Sequence, residues 1–219
     1  MDALELAQQR VRARQFLARE LAKQGYDTDV ALHESSAMTL EQMAEERAGR
    51  DWRVSTRDSS AGSGGSVTVV FCDGTIKAPE LQNKIAELEN SEEGFDRARD
   101  TLMVVANGLS TPQWHAAQVL ANEHWKRDGT FVIVRHLSTA VIDVSDNVMV
   151  PPHRKLSEAE IAAIPHVRHN RAKHETICRH DAQAIHLGMR PGDVCEITRA
   201  SRTAGEAREY RLCTNDCTN

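Results

Sequence analysis

The sequence predicts an α/β unit over residues 1–146, followed by a smaller α+β unit over residues 147–219. In the first part, short apolar segments alternate with amphipathic ones, the pattern of a mixed sheet with flanking helices. Adjacent prolines at Pro151 and Pro152 then interrupt regular secondary structure. The balance of charge also changes near this point, which indicates two units.

The composition is that of a folded protein with an acidic first part. The 219-residue chain is 40% hydrophobic and 27% charged, and its formal net charge is −5. Residues 1–150 carry 16 Lys and Arg against 23 Asp and Glu, whereas residues 151–219 carry 11 against 9. Domains that bind nucleic acid on their own are usually basic. A self-sufficient DNA-binding protein is therefore disfavoured.

The N-terminal unit is expected to begin with two helices and a strand. Five apolar residues at helical spacing predict an amphipathic helix that ends at Gly25. They are Leu4, Ala7, Val11, Ala18 and Leu21. Thr39–Gln42 is a capping box that opens a second helix, and Gly49 ends it. A short strand is predicted around Val54, and the Gly/Ser run at residues 59–66 suits an enlarged hairpin loop.

The rest of this unit should alternate strands with helices. Four apolar segments predict strands: Ser66–Cys72, Thr101–Ala106, Thr130–His136 and Ala140–Val144. Pro79 fits the first turn of one helix. Thr111 is predicted to cap the N-terminus of another helix, with Pro112 at its first position and an end near Arg127.

The C-terminal unit is expected to contain two capped helices and a hairpin. Ser157 and Glu160 form a capping box, so a helix should follow. Asp181 is a candidate N-cap for a short helix that Gly188 closes. Two strands are predicted around a Ser/Thr/Gly turn, at Val194–Thr198 and Glu206–Cys213.

No catalytic signature is present, so neither an enzyme nor a cofactor is expected. Walker A, HExxH and GxSxG patterns are missing, as is a GxGxxG loop after a strand. The odd number of scattered cysteines favours free thiols in a reducing compartment. Histidines cluster in the last third, but the spacings around His166, His169 and Cys178 do not match a closed zinc site. Asp143 and Asp146 are a weaker candidate for holding a cation.

Nothing in the sequence predicts a membrane partner. No window holds 18 uninterrupted apolar residues, as a spanning helix would need. The first 16 residues lack the compact apolar region of a secretory signal.

The most specific motif is the stretch Arg199–Leu212, which predicts a β-hairpin. Gly205 allows the positive φ of a tight turn. Ser201 and Thr203 can bond nearby backbone groups, and Tyr210 alternates with polar residues as in a half-buried strand. Such a hairpin either stabilises a small domain or also recognises a partner.

This stretch resembles the C-terminal signature of the shared fifth subunit of eukaryotic-type DNA-directed RNA polymerases, whose archaeal counterpart consists of the C-terminal domain alone. The signature residues here are Arg199, Ser201, Thr203, Ala204, Gly205, Tyr210, Arg211 and Leu212. Val150–His153, Leu156–Glu158 and Asp181–Val194 resemble further parts of the family pattern. The similarity is strong over residues 147–213 and weak before them.

The resemblance implies a non-catalytic polymerase subunit built from two domains. Residues 147–219 would dock on the largest subunit, beside neighbouring small subunits. The interface or scaffold residues would be Arg199, Ser201, Thr203, Ala204, Gly205, Tyr210 and Arg211. Residues 1–146 would form a jaw of nuclease-like topology next to downstream duplex DNA.

The resemblance also implies where DNA would be approached. The DNA-proximal candidates are Thr111, Pro112, Trp114 and His115. Backbone N–H groups at a helix start suit phosphate. A guide that lets DNA slide must bind weakly, because each neutralised phosphate adds affinity.

Departures from the family pattern, among them Asn147 and Ala182, indicate a divergent lineage such as a large DNA virus. A cellular member would work in the nucleus, and a viral one in the virion or in the host cytoplasm or nucleus. Two alternatives remain open at this point. One is a metal-dependent nuclease-like enzyme, which would need a carboxylate cluster with a lysine at a strand end; Ser66–Lys77 holds no such run, and only Asp73 and Lys77 come close. The other is a free-standing adaptor.

Overall fold

A computed structural model describes residues 3–29, 52–55, 65–92, 94–165, 167, 174–201, 203 and 205–215. The chain divides into two compact units, Met1–Ile142 and Asp143–Asn219. The predicted helix at residues 39–49 and most of the predicted Gly/Ser loop lie outside the described residues. The functional division after residue 146 stays a prediction.

The first unit is a four-stranded mixed sheet with flanking helices. Its described elements are α1 (Ala3–Lys23), β1 (Trp52–Ser55), β2 (Ser66–Asp73), α2 (Ala78–Glu89), β3 (Thr101–Asn107), α3 (Thr111–Asp128) and β4 (Phe131–His136). The strand order is β1-β2-β3-β4. β1 pairs antiparallel with β2, whereas β2, β3 and β4 are parallel. The expected combination of a mixed sheet and helices is therefore confirmed.

The parallel register places three strand ends on one edge of this sheet. Asp73 of β2 pairs with Asn107 of β3, and Ala106 pairs with His136 of β4. Because carboxyl ends of parallel strands meet at one edge, the residues that follow them lie close together. This edge is called the carboxyl edge below, and the start of α3 belongs to it.

On one face of the first sheet, a hydrophobic core lies between the sheet and the helices α2 and α3. The buried apolar side chains of this cluster are Leu81, Ile85, Leu88, Phe95, Leu102, Val104, Ala117, Ala121, Val132 and Val134. β3 and β4 are buried along almost their whole length, as expected for inner parallel strands. In α1, the buried face contains Ala13 and Leu17, whereas Val11 of the predicted stripe is only half-buried.

Two predicted local features differ from the structure. Ala140–Val144 is not a strand, because Ala140 donates its N–H to the His136 carbonyl in a turn. A short 3-10 helix follows at Val144–Asp146, and Asp143 caps it by accepting from the Ser145 N–H at 2.9 Å. Ala140 is buried in this turn, whereas Ile142 is 58% exposed, so the segment is not a core strand of the sheet.

The start of α3 is also shifted by one residue from the prediction. Ser110, not Thr111, is the N-cap. The Gln113 side chain accepts from the Ser110 N–H at 2.9 Å and from its hydroxyl at 2.8 Å. Because this closes the cap around Ser110, Thr111 becomes the first helical residue and Pro112 the second.

The second unit is another four-stranded mixed sheet with short helices. Its elements are the 3-10 helix, β5 (His153–Lys155), α4 (Glu158–Ala163), β6 (Glu175–Cys178), α5 (Ala182–His186), β7 (Val194–Ser201) and β8 (Gly205–Thr214). The order is β5-β7-β8-β6. β7 is antiparallel to β5 and β8, and β6 is parallel to β8. The strands β5 and β6 were not predicted, since each has only three or four residues.

Apolar clusters cover both faces of the second sheet. Ala184 of α5 belongs to the cluster on one face, with Ile177, Ile197 and Cys213. Ile161 of α4 belongs to the other cluster. The predicted caps of both helices are confirmed, because Ser157 and Glu160 bond reciprocally and the Asp181 carboxylate accepts from the Gln183 N–H at 2.8 Å.

Candidate functional site

The predicted interface residues lie along the β7–β8 hairpin. Arg199 pairs in register with Ala207, and the last pair is Ser201 with Gly205. The turn depends on Gly205, whose φ of +73° is strained for residues with a Cβ. Of the seven predicted interface residues, Ala204 lies outside the described residues.

The hairpin tip presents polar groups, while its base is fixed by ion pairs. The Ser201 and Thr203 hydroxyls are 3.4 Å apart near the turn. Arg199 and Glu209 form a half-exposed ion pair at 3.4 Å. Arg211 reaches Glu175 at 3.2 Å and so links β8 to β6. Arg211 thus serves the sheet itself, whereas the tip residues remain accessible.

Glu196 is the centre of a charged network that sequence reasoning missed. The residue is only 7% exposed, so its carboxylate needs partners. The Tyr210 hydroxyl donates to it at 3.3 Å, and Arg154 and Arg208 approach at 3.4 and 3.9 Å. Burial, together with the Glu196 charge, raises the pKa of Tyr210. The alternation in β7 could have shown that Glu196 points inward.

The predicted DNA-proximal residues lie at the start of α3, at the carboxyl edge. Thr111, Pro112 and His115 are exposed. Trp114 is not a free surface aromatic, because it packs against the core and meets the His136 ring edge-on at 6.2 Å. The structure therefore places three of the four candidates on the surface and one in the packing beneath.

The metal and nuclease alternatives gain no support from the described residues. Within the described ranges, no group of three His, Cys, Asp or Glu side chains could hold a metal ion. Asp73 is ion-paired with Arg10 at 2.7 Å, and Lys77 with Glu80 at 3.3 Å. Asp143 serves as a helix cap. The histidines His166 and His169 lie outside the described residues.

The expectation of free thiols was wrong for one cysteine. Cys72, Cys195 and Cys213 are free, but Cys178 is disulfide-bonded. Scattered positions in sequence do not prevent two cysteines from meeting in space. Burial raises the pKa of Cys213 to about 12 and that of Cys72 to about 11, so neither is a reactive thiolate near neutral pH.

Among the described residues, no helix is both long and apolar enough to cross a membrane.

Comparison with known proteins identifies the second unit. Residues 142–213 match the family model for the C-terminal domain of RNA polymerase Rpb5. The DNA-directed RNA polymerase subunit Rpo5 of Thermococcus celer is 40% identical over 75 residues, covering 34% of this chain and 92% of the relative. Rpo5 of Archaeoglobus fulgidus is 36% identical over 70 residues, covering 32% and 92%. Rpo5 of Nitrosopumilus maritimus is 37% identical over 70 residues, covering 31% and 83%.

These similarities show that the chain is a non-catalytic subunit of a multi-subunit DNA-directed RNA polymerase. Such a subunit acts in transcription and associates with other polymerase subunits. The chain belongs to the Rpb5/Rpo5 family of RNA polymerase subunits, which confirms the resemblance seen in the hairpin motif.

Proposed function

We propose that the second unit docks on the largest polymerase subunit, beside neighbouring small subunits, and that the β7–β8 hairpin carries the contact. The observation that supports this most is the family match, which covers this unit and ends within β8. At the tip, Ser201, Thr203 and Gly205 are accessible to a partner, and Arg199 is exposed beside them. Tyr210 and Arg211 support the hairpin from within the sheet, through Glu196 and Glu175.

The first unit is proposed as a jaw of nuclease-like topology beside downstream duplex DNA. Thr111, Pro112 and His115 at the carboxyl edge are its proposed DNA-proximal residues, with Trp114 holding the start of α3 in place. Pro112 has no N–H, and the Ser110 N–H already donates to Gln113. These two backbone positions cannot donate to a phosphate, which favours a weak contact.

The proposed DNA contact is weak and independent of sequence. The acidic balance of residues 1–150 opposes tight binding to a polyanion. Such weak binding suits a protein that guides moving DNA. In a filter-binding assay at physiological salt, the isolated chain should show no sub-micromolar affinity for duplex DNA. Affinity in that range would contradict a sliding guide.

Copurification tests the assembly role directly. A tagged full chain should pull down two very large polymerase subunits in stoichiometric amounts. Purification of the chain alone would instead favour the free-standing adaptor, and Mg²⁺-dependent DNA cutting would favour the nuclease. The place of action is proposed as the nucleus for a cellular lineage, and as the virion or the host cytoplasm or nucleus for a viral one.

Cross-linking from α3 tests the jaw role. A photo-reactive group at Thr111, within the assembled polymerase on a DNA template, should react with downstream DNA. The matched control is Lys126, an exposed residue near the other end of the same helix. At about 1.5 Å per residue the two positions are about 22 Å apart along the axis. Equal cross-linking from both positions, or none from Thr111, would contradict the proposed contact.

A further inference from the structure

The turn before β5 presents two large apolar side chains to solvent. The Val150 N–H donates to the Asn147 carbonyl at 2.8 Å, and the Met149 N–H donates to the Asn147 side-chain oxygen at 2.9 Å. Val148 and Met149 hold the two central positions of this turn and are 98% and 86% exposed. Central turn positions ordinarily hold Gly, Pro, Asn, Asp or Ser. Turn formation therefore does not explain why these two residues are apolar.

The neighbouring strand β7 extends past its pairing with β5. His153 pairs with Ile197, and the Thr198 N–H donates to the Pro152 carbonyl at 3.0 Å. Backbone hydrogen-bonding groups alternate between the two edges of a strand. The N–H and C=O of Ala200 therefore point to the same edge of β7 as those of Thr198, the edge that pairs with β5. Beyond Pro152, no residue in the described part of the chain pairs with β7 on this side. Ala200 is exposed, and the end of β7 is an open strand edge.

The turn and the open edge line one groove. It has a volume of about 550 Å³ and is formed by Val148–Pro152 on one side and Thr198–Ala200 on the other. An open edge offers backbone hydrogen bonds to an added strand, and adjacent side chains select what that strand carries. On the side of the groove formed by Val148–Pro152 the side chains are apolar, and the two bonds to Asn147 hold the backbone that carries Val148 and Met149 in a turn.

We propose that this groove binds an extended, apolar segment of another RNA polymerase subunit as an added β-strand. The inference rests on the proposed docking of the second unit and names the kind of segment that docks. The open edge requires an extended backbone, and Val148 and Met149 require apolar side chains on it. The groove also lies wholly within residues 142–213, the part that matches the polymerase family. A second copy of this chain is the competing occupant.

Competition for incorporation tests the groove. Cells would express a tagged variant of the full chain together with untagged wild type, and mass spectrometry would give their ratio in the purified polymerase. The ratio of the double variant Val148→Ser/Met149→Ser to wild type in the polymerase should fall about tenfold or more, because two apolar side chains no longer become buried. Ala200→Pro, which removes the edge N–H, should also be under-represented. Val119→Ser, at a 55% exposed residue of α3, is the matched control and should compete equally.

Cross-linking identifies the occupant. A photo-reactive residue at Met149 should attach to an apolar segment of another subunit in the purified polymerase. Attachment to a second copy of the chain would overturn the proposal, as would equal incorporation of all variants without any such cross-link. In either of those two cases, wild-type protein that enters the polymerase would still support the docking of the second unit. If wild type does not enter the polymerase at all, both the docking and the groove are refuted.

Discussion

The buried ion pair between Glu20 and Arg135 should be a sensitive point of the first unit. It joins α1 to β4 at 2.6 Å, with side chains only 1% and 7% exposed. Glu20→Ala would leave the Arg135 charge buried without this carboxylate. Arg135 would keep its bond to the Thr139 carbonyl at 3.1 Å and its position 5.3 Å from the Phe16 ring centre.

The cost of this substitution follows from those remaining contacts. Removing one partner of a buried pair ordinarily costs about 3–5 kcal/mol, because the other charge stays desolvated. The carbonyl and the ring offset part of that cost, so the lower end, about 3 kcal/mol, is expected. With a urea dependence of about 1–3 kcal/mol per molar, the unfolding midpoint should fall by about 1–3 M.

Tryptophan fluorescence during urea unfolding measures this loss of stability in the first unit of the protein. All three tryptophans, Trp52, Trp114 and Trp125, belong to the first unit. Glu5→Ala, at an exposed residue of the same helix, is the control and should cost at most about 1 kcal/mol.

A double variant separates the charge from the packing. Glu20→Leu with Arg135→Met should be more stable than either single variant, because it leaves no buried charge unpaired. A loss below about 1 kcal/mol for Glu20→Ala would refute the reasoning. The reasoning would also be refuted if the losses of unfolding free energy in the two single variants simply added up in the double variant.

Three further predictions concern caps, pH and thiol reactivity. Asp181→Ala should lower stability by about 1 kcal/mol, measured by thermal unfolding, because the Gln183 N–H loses its acceptor; an unchanged melting temperature would contradict this. Burial raises the pKa of Asp128, but hydrogen bonds from Thr130 and a neighbouring arginine outweigh it and lower the value to about 2. The resulting stabilisation, about 1 kcal/mol after solvent screening, should be present above about pH 4 and disappear as the pH falls towards 2, and Asp128→Asn should abolish this dependence in acid titrations. Cys213 is 1% exposed with a pKa raised to about 12, so iodoacetamide at pH 8 should modify it only after denaturant is added; rapid labelling of the native protein, read by mass spectrometry, would contradict its burial.

Local signals predicted much of the fold because the physics behind them is local. The Ser157 and Asp181 caps depend on side chains two or three residues from their partners, so the sequence contains the whole interaction. The strands β3 and β4 were recognisable as buried apolar runs. At the first turn of α3, the adjacent residues Ser110 and Thr111 are both suitable N-caps. Ser110 is the N-cap because the Gln113 side chain folds back and accepts from its hydroxyl.

Features that depend on distant residues could not be predicted from local patterns. The three-residue strand β5 exists because it pairs with β7, about forty positions later. Trp114 looked like a surface aromatic, yet it packs on a core whose side chains come from α2, β3, α3 and β4. The network around Glu196 joins Arg154, Arg208 and Tyr210, and no local pattern links the first of these to the rest.

The pairing of α1 with β4 has a consequence for the order of events during synthesis. Glu20 and Arg135 are 115 residues apart, and a ribosome adds about 5–20 residues per second. The first helix therefore waits about 6–23 seconds for the strand that neutralises its buried glutamate. The β7–β8 hairpin closes between neighbours such as Ser201 and Gly205 and needs no such wait. The β7–β8 hairpin therefore needs no distant partner, whereas the buried Glu20 of α1 is neutralised only after β4 has been made.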